Sequence, residues 1–335
     1  MNRRKKEIIH DESGAVAVYV AIGLVVLLGF GALALDIAHM VAVKRELTKA
    51  AEAGALAGAR ALWPMELPVD TTGNVTPNCT QGVNAALAAA AKNQVDGANL
   101  ATGEVTAVAG KWDYATKQFI TGISSDAIGV RVTASRANVQ TILAQVLGQA
   151  PKNMSATAVA IMDYASTLGL AVLPIVIDEN AAFDADGNVK KIDINVRMTP
   201  DPGDNGGWFT KPPASASAST LKDYVNYQTC LDLSVGTIVN LQNGADASVL
   251  AAILDQFNKC MAADGSWTVA IPTVDTLKFG QDEPITNFVG LKITEVINTT
   301  SDKKVYGHLV NLTAVSNALP GGPKGGVLAS PKLVR

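Results

Sequence analysis

"GLVVLLGFGALALDIAHMVAVKRELTKAAEAGALAGARAL", residues 23–62, decides how this chain is organised. It opens as an apolar run suited to lipid and ends as a run of small residues with charges at helical intervals. No proline interrupts it; the first proline is Pro64. Extended backwards, Ala15 to Leu35 is 21 residues without a charge, about 31 Å as a helix and enough to cross a hydrocarbon core. One helix over 15–62 is therefore predicted, the inner half a single transmembrane span and the outer half a projecting stalk. A cleaved signal peptide is the competing reading, with Ala32-Leu33-Ala34 as its small-x-small site. The apolar run exceeds a signal's core and nothing breaks the helix there, so an uncleaved anchor is expected.

Orientation follows from the flanks. Arg3, Arg4, Lys5 and Lys6 precede the span, whereas Lys44, Arg45 and Lys49 follow it. Basic residues accumulate on the cytoplasmic side. Residues 1–14 are thus expected in the cytoplasm and the bulk of the chain outside it. The formal net charge of −3 gives no reason to expect nucleic acid.

At 100° per residue, Leu47, Ala50, Ala51, Gly54, Gly58 and Ala61 share one face of the outer half, and Arg45, Lys49, Glu52 and Arg60 share the other. A glycine costs a helix about 1 kcal/mol relative to alanine. Glycines along one stripe make sense where another backbone approaches closely. Two neighbours fit: a partner helix, or the protein's own exported part. Asp36, at the outer end of the span, either marks the membrane edge or binds a polar group on a neighbouring helix.

At these residues the chain is similar to the TadE/TadG-like proteins of Tad (Flp) pilus assembly. Gly14, the apolar helix, Asp36 and the run Ala51-Glu52-Ala53-Gly54-Ala55-Leu56-Ala57-Gly58-Ala59 follow that family's N-terminal signature in order, with Thr48, Glu52 and Gly54 as departures. "GKWDYATKQF" (110–119), "AIGVRVTASRANVQTILAQVLG" and "SATAVAIM" continue the resemblance more faintly, to about residue 162. The resemblance implies a bacterial inner-membrane protein with an exported (periplasmic) domain, assisting assembly of a thin adhesive pilus without catalysis. It also implies other Tad pilus-assembly proteins as partners through the transmembrane and stalk helix, beside the lipid bilayer and a second copy of the chain. A processed pilin-like subunit is the runner-up. Cutting after Gly14 would place Tyr19 at the fifth position, where type IV prepilins carry an acid.

The expected fold class is α+β: the long helix, then mixed α/β exported parts with mainly antiparallel sheet. The first exported region is 63–162, with an alanine-rich helix "GVNAALAAAAKNQ", alternation at Val105, Ala107 and Ala109, a hairpin at "WDYATKQF", alternation at Ile128, Val130 and Val132, a helix Val139 to Leu147, and a strand at 156–162. The second is 163–318. It has buried "LGLAVLPIVI", a half-buried strand with Ile192, Ile194, Val196 and Met198 on one face, and a helix capped by Asp246 with Val249, Leu250, Ile253, Leu254, Phe257 and Met261 on one stripe. Strands follow around Trp267 to Ile271, Leu291 to Ile297 and Val305 to Val310. Residues 319–335, "PGGPKGGVLASPKLVR" and its neighbour, are expected as a flexible tail.

No catalytic, metal or cofactor set is expected. His10, His39 and His308 fall on different sides of the span. "PIVIDENAAF" offers Asp178 but then Asn180 and Ala182 where a von Willebrand A site needs hydroxyls. "FDADGNVKKID" departs from calcium-loop spacing after Asp186. Cys230 and Cys260 each end a predicted helix and form a candidate disulfide in an oxidising compartment, leaving Cys79 over. Two further classes remain: an exported binding or adhesion module carried by Gly206-Gly207-Trp208-Phe209 on a loop, and a tethered hydrolase needing convergent carboxylates or a Ser/His pair around His308.

Overall fold

The computed structural model describes residues 13–63, 76–122, 126–141, 143–146, 148, 150–169, 173–197, 199, 204–214, 217–227, 231–242, 244–275, 277 and 280–334. Residues 1–12 of the basic segment, Met198 and Cys230 lie outside them. A single uninterrupted helix, α1 (Ser13–Leu62), joins the apolar and small-residue halves. After it come α2 (Cys79–Ala91), β1 (Gln94–Val95), β2 (Ala98–Asn99), β3 (Val105–Asp113), β4 (Gln118–Thr121), β5 (Gly129–Val139), α3 (Leu143–Val146) and β6 (Lys152–Ile161).

The first sheet is antiparallel, and α1 packs across its face. Val105, Ala107 and Ala109 lie opposite Ala134, Val132 and Val130, and β6 continues the row with Ala156, Ala158 and Ala160. The centre of this face is alanine and valine, so the helices sit close. The alternate face carries Thr133 and Thr157, whose hydroxyls bond at 2.9 Å, and Arg131, stacked 5.4 Å from the Phe119 ring centre. Alternation of period two thus separates a helix-covered face from a polar one.

The expected helix over 139–147 shortens to the four residues of α3, because Val139 ends β5, paired with Lys152. Arg136 explains the strand's length. Its Nη1 binds both oxygens of Glu104 and its Nη2 donates to the carbonyls of Val95 and Ala98, tying β5 to the β1–β2 turn.

The second region holds β7 (Ala165–Leu168), β8 (Ile175–Asp178), α4 (Glu179–Ala182), β9 (Asp193–Arg197), β10 (Gly206–Thr210), α5 (Ala218–Val225), β11 (Leu233–Ser234), β12 (Ile238–Gln242), α6 (Ala247–Asp264), β13 (Trp267–Val274), β14 (Asp282–Asn298), β15 (Lys303–Val310) and β16 (Leu312–Val315). Its main sheet runs β12-β10-β8-β13-β14-β15-β9, and β12 also pairs with β14. Asn240 stands between Thr210 and Asp282 in the two registers, so five strands close into a ring. Trp208, Phe209 and Phe288 are fully buried here. Asp246 caps α6 by accepting the Ser248 N–H at 2.7 Å, and Gly265 ends it in the left-handed conformation. Val249, Leu250 and Ile253 are buried, whereas Met261 is exposed.

The last residues correct an expectation. Through residue 334 the expected tail is paired: β17 (Ala318–Pro320) pairs with β7, β18 (Val327–Ala329) with β16, and β19 (Lys332–Val334) returns to the first sheet beside β6. The glycines that read as flexibility are there for close approach. A Cβ on Gly322 would lie 2.0 Å from the Ala165 carbonyl oxygen, and one on Gly325 would lie 2.2 Å from Asn287 Oδ1. The chain end straps the two regions together.

Candidate functional site: the helix junction beyond the apolar span

The two halves of α1 meet at Asp36. Inward of it, Val18, Val25, Leu28 and Phe30 are each more than half exposed, and no atom lies within 4 Å of a Cβ built on Gly23, Gly29 or Gly31. Outward of it, the chain's own domain takes hold at once. Asp36 is buried, and its Oδ2 accepts the backbone N–H of Leu143 at 2.8 Å. The acid thus binds a polar group, the backbone N–H of Leu143 at the start of the protein's own α3.

One turn on, His39 Nε2 lies 3.4 Å from Asp96 Oδ1. Glu46 accepts the Asp96 N–H at 2.8 Å, and Lys44 Nζ donates to the Ser155 carbonyl. These bonds reach three separate places, the β1–β2 turn, β6 and α3, and fix the helix as it leaves the apolar span.

The small-residue stripe continues this hold. Leu47, Ala50, Ala51, Gly54 and Gly58 are buried, and Ala61 lies half-buried at the margin. Added Cβ atoms show what fills the gaps. On Gly54 a Cβ would sit 2.9 Å from the Ala86 carbonyl oxygen and 3.3 Å from Val132 Cγ1. On Gly58 it would sit 2.8 Å from Ala86 Cβ and 3.1 Å from Val130 Cβ. Of the two neighbours the stripe fits, the structure supplies the protein's own α2 and first sheet. The partner-docking reading of this face is corrected, because α2, β5 and β6 already occupy it.

Ala55, Ala59 and Leu62 extend the buried face beyond the stripe read from the sequence, and a matching stripe on α2, Gly82, Ala86 and Ala90, is buried against it. Their signal was present as small residues four apart in "GVNAALAAAAKNQ". A Cβ on Gly82 would meet Leu62 Cδ2 at 2.7 Å, so two small-residue ridges interlock.

A second feature sits where the regions join. A cavity of about 420 Å³ is lined by Trp63, Trp112, Tyr114, Asp163, Tyr164 and Lys324, among others. Its polar walls are used internally. Trp63 Nε1 donates to the Met162 carbonyl at 2.9 Å, Tyr114 Oη donates to Asp163 Oδ2 at 2.8 Å, and Asp163 Oδ1 accepts the Tyr164 N–H at 2.8 Å. Burial raises the Asp163 carboxyl above its ordinary value, with the Tyr114 and Tyr164 bonds pulling the other way. The Tyr114 hydroxyl is held protonated by burial and by that neighbouring carboxylate. Trp63 and Tyr164 meet edge to face, 6.0 Å apart. The cavity is the joint between the stalk's end and the second region.

The other candidates resolve simply. Gly206-Gly207-Trp208-Phe209 form β10 inside the ring and not an exposed loop, which removes the feature expected to carry ligand binding. Asp178 caps α4 through the Asn180 N–H at 2.9 Å. Asp184 closes a turn by accepting the N–H groups of Asp186 and Asn188, and Lys324 Nζ binds Asn188 Oδ1 at 2.7 Å. Among the described residues no cluster of three or more His, Cys, Asp or Glu side chains forms a metal site. Cys260 is a half-buried free thiol, and its expected partner Cys230 lies outside the described residues.

A long N-terminal helix, apolar and bare in one half and packed by small residues into a two-layer α/β unit in the other, is the class of protein these features define. A family model described as putative Flp pilus-assembly TadE/G-like matches residues 14–61, and one described as putative Tad-like Flp pilus-assembly matches residues 70–160. Over those two stretches the chain is similar to the Tad Flp pilus-assembly proteins. The matched stretches end within β6, so the ring of the second region lies beyond them. No curated protein and no solved structure matches the chain.

Proposed function

We propose that this chain is a structural, non-catalytic component of a Tad (Flp) pilus apparatus. The inner half of α1 spans the bacterial inner membrane with the N-terminus cytoplasmic, and everything from Asp36 onward stands outside the cytoplasm. One observation carries the reading. An 18-residue window of this helix has mean hydropathy 2.6 and no burial inside the protein, whereas the outer half is embedded in the domain. A bare apolar surface of that length is stable in lipid and not in water.

The stripe being occupied, other pilus-assembly proteins, or a second copy, meet this chain through the lipid-facing half of α1 or through the exported surface. The role follows from stiffness: a continuous helix clamped at Asp36, His39, Lys44 and Glu46 holds the exported domain at a fixed height and angle above the bilayer.

The test is carbonate extraction of membranes followed by intact mass. Retention in the pellet, with a mass that includes the residues before Gly14, is the expected result. A chain beginning at Ala15 makes it a processed pilin-like subunit. A chain beginning at Leu35 and released by carbonate contradicts the anchor.

A further inference from the structure

We infer that the outer edge of β3 is a docking site for an extended, uncharged segment of another polypeptide, added as a sixth strand to the first sheet. β3 runs from Val105 to Asp113, but β4 pairs only with Gly110 to Asp113. Among the described residues, 105–109 are covered by β5 on one side and by no strand on the other.

The phase of the ladder tells which groups are open. Ser135 N donates to the Glu104 carbonyl at 2.7 Å. Even-numbered residues of this strand therefore bond β5, and odd-numbered ones turn N–H and C=O away from it. The hairpin agrees, since its closing pair is Asp113 with Gln118. Val105, Ala107 and Ala109 thus present a row of backbone donors and acceptors to the outside, the template on which an extended chain builds a strand.

The edge has a wall as well. A groove of about 500 Å³ runs between it and α2, lined by Cys79, Thr80, Val83 and Asn84 on the helix, by Ala107, Val108 and Ala109 on the strand, and closed at one end by Thr121 and Gly122 at the end of β4. The lining carries no charge, and Val108 is exposed on the opposite face. A guest strand of about five residues fills the open length. Its alternate side chains point at Val83 and Cys79, which fits small or β-branched uncharged residues and rejects charged ones.

A second copy does not fit, a point that rests on the membrane reading above. Antiparallel pairing of β3 with its own copy has its two-fold axis perpendicular to the sheet. Such an axis reverses every direction in the sheet plane, including that of α1, which lies along the face over Val130 and Val132. The two spans would leave the dimer in opposite directions and could not share one bilayer.

The experiment uses the full chain in lipid discs and a capped seven-residue peptide of alternating threonine and valine as probe. Residue-resolved hydrogen exchange reads the Ala107 and Ala109 amides. The expected result is a saturable slowing of about tenfold or more at these amides, with Val130 and Val132 unchanged. Ala107→Pro removes an outward N–H without cutting a bond to β5 and abolishes the slowing. Val83→Lys, on the α2 wall of the groove, weakens it and covers the case in which the proline variant misfolds. No slowing at millimolar probe, or equal slowing in both variants, overturns the proposal while leaving the carbonate result untouched. Slowing that rises with protein concentration and needs no probe identifies a second copy as the occupant and overturns it too.

Discussion

The two halves of α1 have the same backbone and opposite surroundings. In the inner half large side chains stand outward all the way round: Val18, Leu27 and Phe30 are all more than half exposed, and the glycines at 23, 29 and 31 touch nothing. In the outer half the glycines at 54 and 58 are pressed against α2 and the sheet, and alanines replace leucines on the packed face. Glycine therefore means different things fifty ångströms apart or less along one helix. In the inner half it is a position without a neighbour; in the outer half it is the clearance for one. The change occurs at Asp36, the first buried side chain described in the helix, and it is the point where a surface suited to lipid becomes a surface suited to protein.

Substitutions across that boundary sharpen the contrast, and Gly58→Leu has the largest expected effect. Four added carbons meet Ala86, Gly82 and Val130 with no room to move, at a cost of about 3 kcal/mol. A steep fall in the thermal midpoint and protease sensitivity of residues 76–161 are expected; an unchanged midpoint refutes the interlocked ridges. Asp36→Ala comes next. It leaves the Leu143 N–H without its acceptor, at about 1–3 kcal/mol. Faster exchange at Leu143 with membrane insertion intact is expected, and loss of insertion contradicts the role given to this residue.

A smaller effect depends on pH at the joint that receives the end of α1. Burial keeps the Asp163 carboxyl above its ordinary 3.8, so the folded chain binds this proton more readily than the unfolded chain does. The stabilisation is fully present below 3.8 and is lost as pH rises through the folded value. Asp163→Asn does not titrate. Its midpoint relative to the parent should therefore improve as pH rises through that window, and a relative decline contradicts the assignment. Smallest is Gly29→Leu, where open space surrounds the position. No change in the midpoint of the folded part after α1 is expected, and a change comparable to that of Gly58→Leu would erase the difference between the halves.

Much of this was legible in the residues. The absence of proline up to Pro64 marks one helix, and the 3.6-residue recurrence of Leu47, Gly54 and Gly58 marks a packed face. Period-two alternation at Val105 to Ala109 and at Ile194 and Val196 marks half-buried strands. What covers the stripe was not legible, because small residues record that a backbone comes close and not whose backbone it is. Asp36 was similarly ambiguous: the acceptor is visible in the sequence, but its donor at Leu143 is more than a hundred residues away. The glycines of "PGGPKGG" misled for a related reason. Local flexibility and close tertiary approach call for the same residue, and only the positions of Ala165 and Asn287 separate the two. The ring in the second region depends on Asn240 pairing with two strands at once, which no local pattern announces.

The most direct measurement is spin-label accessibility along α1 in reconstituted bilayers, one cysteine at a time from Val16 to Ala61 in a background without native thiols. Oxygen, which concentrates in lipid, and a water-soluble nickel complex report the two surroundings. The expected result is high oxygen accessibility without helical periodicity from Val16 to Leu35, then 3.6-residue periodic protection from both reagents from Val43 onward, with the change at Asp36. Access of the nickel complex to Val25 or Leu28, or periodic protection in the inner half, would mean that water or protein surrounds that segment and would contradict the division of one helix between membrane and domain.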